Sequence, residues 1–133
     1  LQDTPLRDLF AGEVESIVDA IGGVPHRIRL MRLTPRGGEL ERHTDQVDKD
    51  TGVRDGQLMR FHVPVQTSDA VEFTSWDCDA KQRRVNMPFG SCFYIDTRKP
   101  HRAINDGTSD LIHLVIVVEA SVRVREVVNV AAV

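Results

Sequence analysis

The spacing of apolar residues changes once along the chain. Near the start, Leu6, Leu9, Phe10, Ile17, Val18 and Ile21 recur with a helical period and gather on one side. Thr4 is a suitable N-cap, Pro5 fits the first helical position where its missing N–H costs nothing, and Gly22-Gly23 stops the run. The pattern predicts an amphipathic helix over residues 5–21, packed on the outside of a sheet. From Pro25 onward the texture becomes short apolar or alternating runs separated by turn formers. Strands are predicted at Arg27–Leu33, Glu39–Asp45, Leu58–Gln66, Val71–Trp76, Arg83–Met87, Ser91–Asp96, His101–Asn105 and Leu111–Glu119. Thr34-Pro35-Arg36-Gly37-Gly38 is a strong turn, and the charged, Gly-punctuated stretch 46–57 reads as a loop. Asn105-Asp106-Gly107-Thr108 has hairpin chemistry, because Asn, Asp and Gly tolerate positive φ, so the last two strands are expected to pair. Val122–Val133 reads as a helix or a further strand, its β-branched content pulling against its Ala-rich end.

About eight short strands behind one helix define an all-β sandwich or jelly roll with helical decoration. At 133 residues the chain is expected to be one domain over residues 1–133, with a helix at 5–21, a barrel at about 25–119 and a C-terminal tail at 120–133.

Composition narrows the function classes. Hydrophobic residues make up 41% and charged residues 28%, ordinary for a globular protein. A net charge of −3 argues against a general nucleic-acid or anionic-membrane binder, since either needs a basic excess. No apolar run approaches bilayer length, and LQDTPLRDLF lacks the apolar stretch of a secretory leader, although the chain begins at Leu1 without a Met. Cys78 and Cys92 lie in different elements and form no C-x-x-C, so reduced thiols in a cytoplasmic protein are expected.

The candidate chemistry begins at His43-Thr44-Asp45. In a strand, residues i and i+2 share a face, so an imidazole and a carboxylate can converge on one metal. A distant histidine on a neighbouring strand would complete a two-His-one-carboxylate triad with open positions for a cosubstrate and O2, and His101 is the best placed. With 5 His in the chain, chance alone supplies about half of one such pair, so the motif is weak by itself. Leu58–Gln66 adds a second pattern: Arg60, His62 and Pro64 fall on one face, Met59, Phe61, Val63 and Val65 on the other. A half-buried strand with a solvated side explains this, yet a cation and an imidazole two residues apart also suit a carboxylate.

Three stretches carry a resemblance: RLTPRGGELERHTDQ (Arg32–Gln46), RFHVPVQT (Arg60–Thr67) and GSCFYIDTRKPHRAINDGTSDLIHLVI (Gly90–Ile116). In order and spacing they resemble the aspartyl/asparaginyl β-hydroxylase family, most specifically over F-Y-I-D-T-R-K-P-H-R-A-I-N. The resemblance implies a double-stranded β-helix, jelly-roll and cupin-like, that binds Fe(II) and 2-oxoglutarate. It implies His43, Asp45 and His101 as metal ligands and catalytic centre, and Arg60 and His62 as contacts to 2-oxoglutarate. Some members have Gly at the carboxylate position, so Asp45 makes the ligand set the more conventional one. The implied activity couples decarboxylation of 2-oxoglutarate by O2 to hydroxylation of an unactivated C–H, on an Asp/Asn-type residue, a free amino acid or another small substrate.

One position departs from the family pattern. Ten residues after the distal histidine the family has an Arg that pairs with the far carboxylate of 2-oxoglutarate; here it is Leu111. Three explanations stand. The anchor comes from His113, Arg29 or Arg32; or the oxo acid is bound weakly or is a different one; or the protein binds metal without turnover. His113 reads equally as a satisfied core histidine. A non-oxidative, cupin-like metal- or ligand-binding module is therefore the alternative function, and a zinc hydrolase is weaker for want of H-E-x-x-H. Of the remaining candidates, Trp76 and Asp77 fit a turn or a substrate mouth. Asp96-Thr97-Arg98 fits support of His101, and Arg102 and Asn105 fit either site or hairpin.

Overall fold

The fold is given by a computed structural model in which residues 6–45 and 58–131 are described, with side chains over 12–45 and 58–128. Thr4, Pro5 and the 46–57 segment lie outside the described residues. Helix α1 (Leu6–Ile21) comes first, then β1 (Pro25–Leu33), β2 (Gly38–His43), β3 (Leu58–Gln66), β4 (Val71–Trp76) and β5 (Gln82–Val85). After these come β6 (Phe93–Ile95), β7 (His101–Asn105), β8 (Leu111–Glu119) and α2 (Val122–Ala131). The strands form two four-stranded antiparallel sheets, ordered β1-β8-β3-β6 and β2-β7-β4-β5. Every connection except β4–β5 steps from one sheet to the other. This winding is the double-stranded β-helix, a jelly roll.

Two apolar layers flank the first sheet unequally. Its outer face packs against both helices: Val18 and Ile21 of α1 and Val124 of α2 meet Met59, Phe61, Leu114, Ile116 and Val118. Its inner face faces the second sheet, with Phe73, Met87, Ile95 and Ala103 forming a smaller cluster. The alternation of β3 thus separates two interiors, Met59 and Phe61 toward the helices, Arg60 and His62 toward the space between sheets. At the helix–strand junction Gly23 is required by close approach, since a Cβ there would lie 2.7 Å from Val118 Cβ.

The expected hairpin between the last two strands does not form. β7 pairs with β2 and β4, whereas β8 lies between β1 and β3 in the other sheet. From Leu111 to Val118 only Ile112 escapes full burial, and a strand apolar on both faces belongs in the centre of a covered sheet. The Asn105–Asp110 segment is instead a crossover held by the buried Asn105. Its Nδ2 donates to Leu33 O at 3.1 Å and Ser109 O at 2.9 Å, and its Oδ1 accepts from Gly107 N–H at 3.1 Å.

Smaller differences have local causes. β2 stops at His43, so Asp45 leaves the ladder and bonds Thr97 O through its N–H at 2.9 Å. The Pro88–Ser91 turn, with Gly90 at φ 79°, delays β6 to Phe93. Val122–Ala131 is helical: Ser121 Oγ caps it by accepting from Val124 N–H at 3.2 Å, and Val124 is fully buried, so packing overrides β-branched propensity.

Candidate metal centre

The site starts from a register. β2 and β7 run antiparallel with His43 opposite His101, and a bulge between Leu40 and His43 turns both of those side chains toward the cavity. Strict alternation would have put them on opposite faces. The two imidazoles stand 4.3 Å apart, centroid to centroid. Asp45, placed by its bond to Thr97, brings Oδ1 to 3.6 Å from His43 Nε2 and Oδ2 to 3.8 Å from His101 Nε2. One donor atom from each of the three lies within 4.8 Å of the others. Ligands bound about 2.1 Å from one ion in a cis arrangement sit about 3 Å apart, so small side-chain rotations close this set on a cation.

Hydrogen bonding decides which nitrogens are free. His43 Nδ1 is 2.7 Å from Glu41 O, and His101 Nδ1 is 2.9 Å from Lys99 O. A carbonyl only accepts, so each Nδ1 carries a proton and, in the neutral imidazole, each Nε2 presents its lone pair toward Asp45. This is the arrangement that orients imidazoles for a metal. Burial pushes the His101 pKa down, against the raising effect of its bond to Lys99 O, which favours the neutral, ligating form. Phe73 stacks on His101 at 6.1 Å with planes 24° apart and fixes the ring from the other side.

The facing sheet supplies cations and two more imidazoles. Arg60 donates to Asp45 Oδ2 as an ion pair across the gap between the sheets. His62 Nδ1 lies 3.2 Å from His113 Nδ1, and the buried Nε2 of His113 has no hydrogen-bond partner among the described residues. Burial first, then the neighbouring His113 and Arg60, hold the His62 pKa at about 3. Burial also lowers His113. Arg29 lies close enough to Arg60 and Asp45 to feel both; burial chiefly, then Arg60, pushes its guanidinium below its ordinary value, and its buried Nε is unpartnered among the described residues.

All six of His43, Asp45, His101, Arg60, His62 and His113 line one cavity of about 270 Å³ between the sheets, and Arg29, Arg32 and Leu111 line it too. Its size suits a small molecule rather than a folded partner. Other sequence candidates fall elsewhere. Trp76 is outside the lining and carries the Arg42 guanidinium 4.4 Å above its ring. Asp96 pairs with Arg98 at 2.8 Å; His101 is supported by the Lys99 carbonyl instead, and Thr97 contributes its carbonyl to Asp45. Arg102 pairs with Glu39 at 2.6 Å, and Asn105 serves the crossover. The carbonyls of Glu41, Thr97 and Lys99 had no signal in the sequence, because any residue type offers one. Phe73 was legible only as an apolar strand residue.

No family model matches the sequence, and no sequence among the curated proteins matches it. Among solved structures, the chain is similar to the crystal structure of a Pseudomonas putida prolyl-4-hydroxylase, with a TM-score of 0.53 and 11% identity. The likeness covers 90% of this chain and 67% of that one. At that identity it is a likeness of fold, and it agrees with the double-stranded β-helix read from the strand order. The narrower resemblance to the aspartyl/asparaginyl β-hydroxylases rests on the sequence motifs.

Proposed function

We propose that this chain, as one domain over residues 1–133, is an Fe(II)-dependent oxygenase that uses a 2-oxo acid and O2 to hydroxylate an unactivated C–H. The observation that carries the reading is the pair of Nε2 lone pairs, freed by Nδ1–carbonyl bonds and converging with Asp45. His43, Asp45 and His101 would hold the ion, leaving positions open for the oxo acid and O2. When bound, iron supplies O2 activation coupled to decarboxylation. The overall balance is R–CO–COO⁻ + O2 + R′–H → R–COO⁻ + CO2 + R′–OH. Two electrons come from the oxo acid and two from the C–H bond.

The chain's own residues bind and orient. Arg60 offers a guanidinium fork to the carboxylate nearest the ion, with His62 beside it as a neutral hydrogen-bonding group. His113 offers a further neutral imidazole on the same wall. Phe73 and Ala103 close the opposite wall and exclude water. The motif resemblance names 2-oxoglutarate as oxo acid and an Asp/Asn-type residue, amino acid or other small molecule as substrate. That the structural neighbour is a prolyl-4-hydroxylase supports a hydroxylase. No described helix is long and apolar enough to cross a membrane. The free thiols of Cys78 and Cys92 support a cytoplasmic setting.

The test is anaerobic reconstitution with Fe(II), titration with a 2-oxo acid while watching for a metal-to-ligand charge-transfer band, then admission of O2 and assay for CO2. Charge transfer followed by CO2 release is expected. A second reading, metal and ligand binding without oxidation, is favoured by Leu111 at the usual anchor position, and a band without CO2 under any substrate would establish it. A zinc hydrolase is disfavoured because the described cavity lining contains no Glu to act as general base.

A further inference from the structure

We infer that the 2-oxo acid accepted by this cavity carries an apolar side chain in place of a second carboxylate. The inference rests on the oxygenase reading and specifies its cosubstrate.

Strand register sorts the cavity wall into layers. On the first sheet Arg60 lies opposite Val117, the next layer joins Arg29, Val115 and His62, the next Met31, His113 and Pro64, and the last Leu33 and Leu111. On the second sheet His101 gives way to Ala103 and Phe73, then to Asn105 and Val71. Contacts across the gap align the two series. Asp45 meets Arg60 at one end, His62 and Phe73 are 6.4 Å apart in the middle, and Asn105 bonds Leu33 O at the other end. Leu111 therefore sits at the end opposite the metal-ligand set.

The two ends differ in charge. Among the described residues the ligand end holds Arg60 and, one layer on, the unpartnered Nε of Arg29, against the single carboxylate of Asp45. That excess suits an anionic head group. At the far end the wall is Leu33, Leu111, Met31 and Val71 with the uncharged Thr67 beside them, and the one cation there among the described residues, Arg32, is bound to Asp110 at 2.8 Å. The other oxygen of Asp110 is buried without a partner among the described residues, so the Arg32–Asp110 pair offers an anion no spare positive charge. His113 offers one neutral hydrogen bond at most, because burial favours its uncharged form. A second carboxylate would give up its hydration there for no counter-charge among the described residues, whereas a branched alkyl tail would lose only unfavourable contact with water.

Anaerobic calorimetry on the Fe(II)-loaded protein tests this with three probes: pyruvate, which is little more than a head group, 2-oxoglutarate, and 4-methyl-2-oxopentanoate. The alkyl acid is expected to bind about tenfold or more tighter than either of the others, the range that a few buried methylenes provide. Leu111→Arg should reverse the order of 2-oxoglutarate and 4-methyl-2-oxopentanoate. The wild-type ranking decides the matter even if that variant does not fold. Preference for 2-oxoglutarate in the wild type would overturn this inference and leave the oxygenase reading intact. Stoichiometric iron with no oxo acid bound would overturn both. A folded Leu111→Arg protein with an unchanged ranking would overturn the assignment of Leu111 to the tail.

Discussion

His43 and His101 are register partners on neighbouring antiparallel strands, and each bonds through Nδ1 to the carbonyl two residues before it. One geometry is thus repeated on two strands, and both Nε2 atoms are presented to the same carboxylate. His101→Ala should lower Fe(II) affinity by at least about 100-fold, more than loss of a supporting bond costs. His113→Ala, which removes the partner of His62 and is not one of the three proposed ligands, should keep stoichiometric iron. Metal analysis after anaerobic loading reads both; full iron occupancy in His101→Ala would remove the proposed ligand set.

Arg60 bridges the sheets to Asp45, and its guanidinium is the cation nearest the ligand set with a known partner. Arg60→Met should retain metal while weakening oxo-acid binding about 10- to 100-fold, the worth of a shielded charge-assisted bond of about 1.5–3 kcal/mol. Arg60→Lys should recover only part, since it restores charge without the fork. Calorimetry of the oxo acid on metal-loaded variants gives the numbers. Unchanged affinity in Arg60→Met would move the carboxylate elsewhere in the cavity.

Stability should fall on mild acidification. In the folded state His62 titrates at about 3, mainly because it is buried, whereas the unfolded chain's histidines titrate near their ordinary value of about 6.5. Between these values the unfolded state binds more protons, so unfolding free energy rises with pH and is lost as pH drops, by at most about 1.4 kcal/mol per unit from this group. His113 and His101, also lowered, act in the same direction. Urea denaturation at pH 7, 6 and 5 should show the decline in wild type and a shallower one in His62→Gln. Parallel curves would mean that His62 is solvated or paired in the folded protein.

Asn105 satisfies three backbone groups at the crossover between sheets. At about 1 kcal/mol for each hydrogen bond, with a further cost for the buried groups left unpaired, Asn105→Ala should destabilise by about 2–4 kcal/mol. Chemical denaturation measures it. A loss within experimental error of zero would mean that the crossover is held by its backbone bonds alone.

The jelly-roll class was legible because alternation is a local property. In β3, Met59 and Phe61 against Arg60 and His62 separates two faces by the two-residue period of an extended chain, whichever strands lie beside it. The pairing of β7 and β8 was not legible. Asn105-Asp106-Gly107 satisfies the local chemistry of a tight hairpin, yet the apolar continuity of β8 calls for neighbours on both sides, and β1 and β3 occupy them. The H-x-D spacing predicts Asp45 as a strand residue sharing a face with His43; it reaches the same point from beyond the strand end, through a bond to Thr97 that no pattern announces.

From its residues alone this chain determined its first helix, most of its strands, and which side chains share a face, because steric and periodic constraints act over a few neighbours. Tertiary structure decided which faces look at each other: that the polar face of β3 lines a cavity rather than meeting water, that Arg60 meets Asp45, and that Leu111 stands at the far end of the cavity from His101. Those choices follow from burying the apolar surface of the whole chain at once, with each buried polar group partnered, and no local stretch contains that sum.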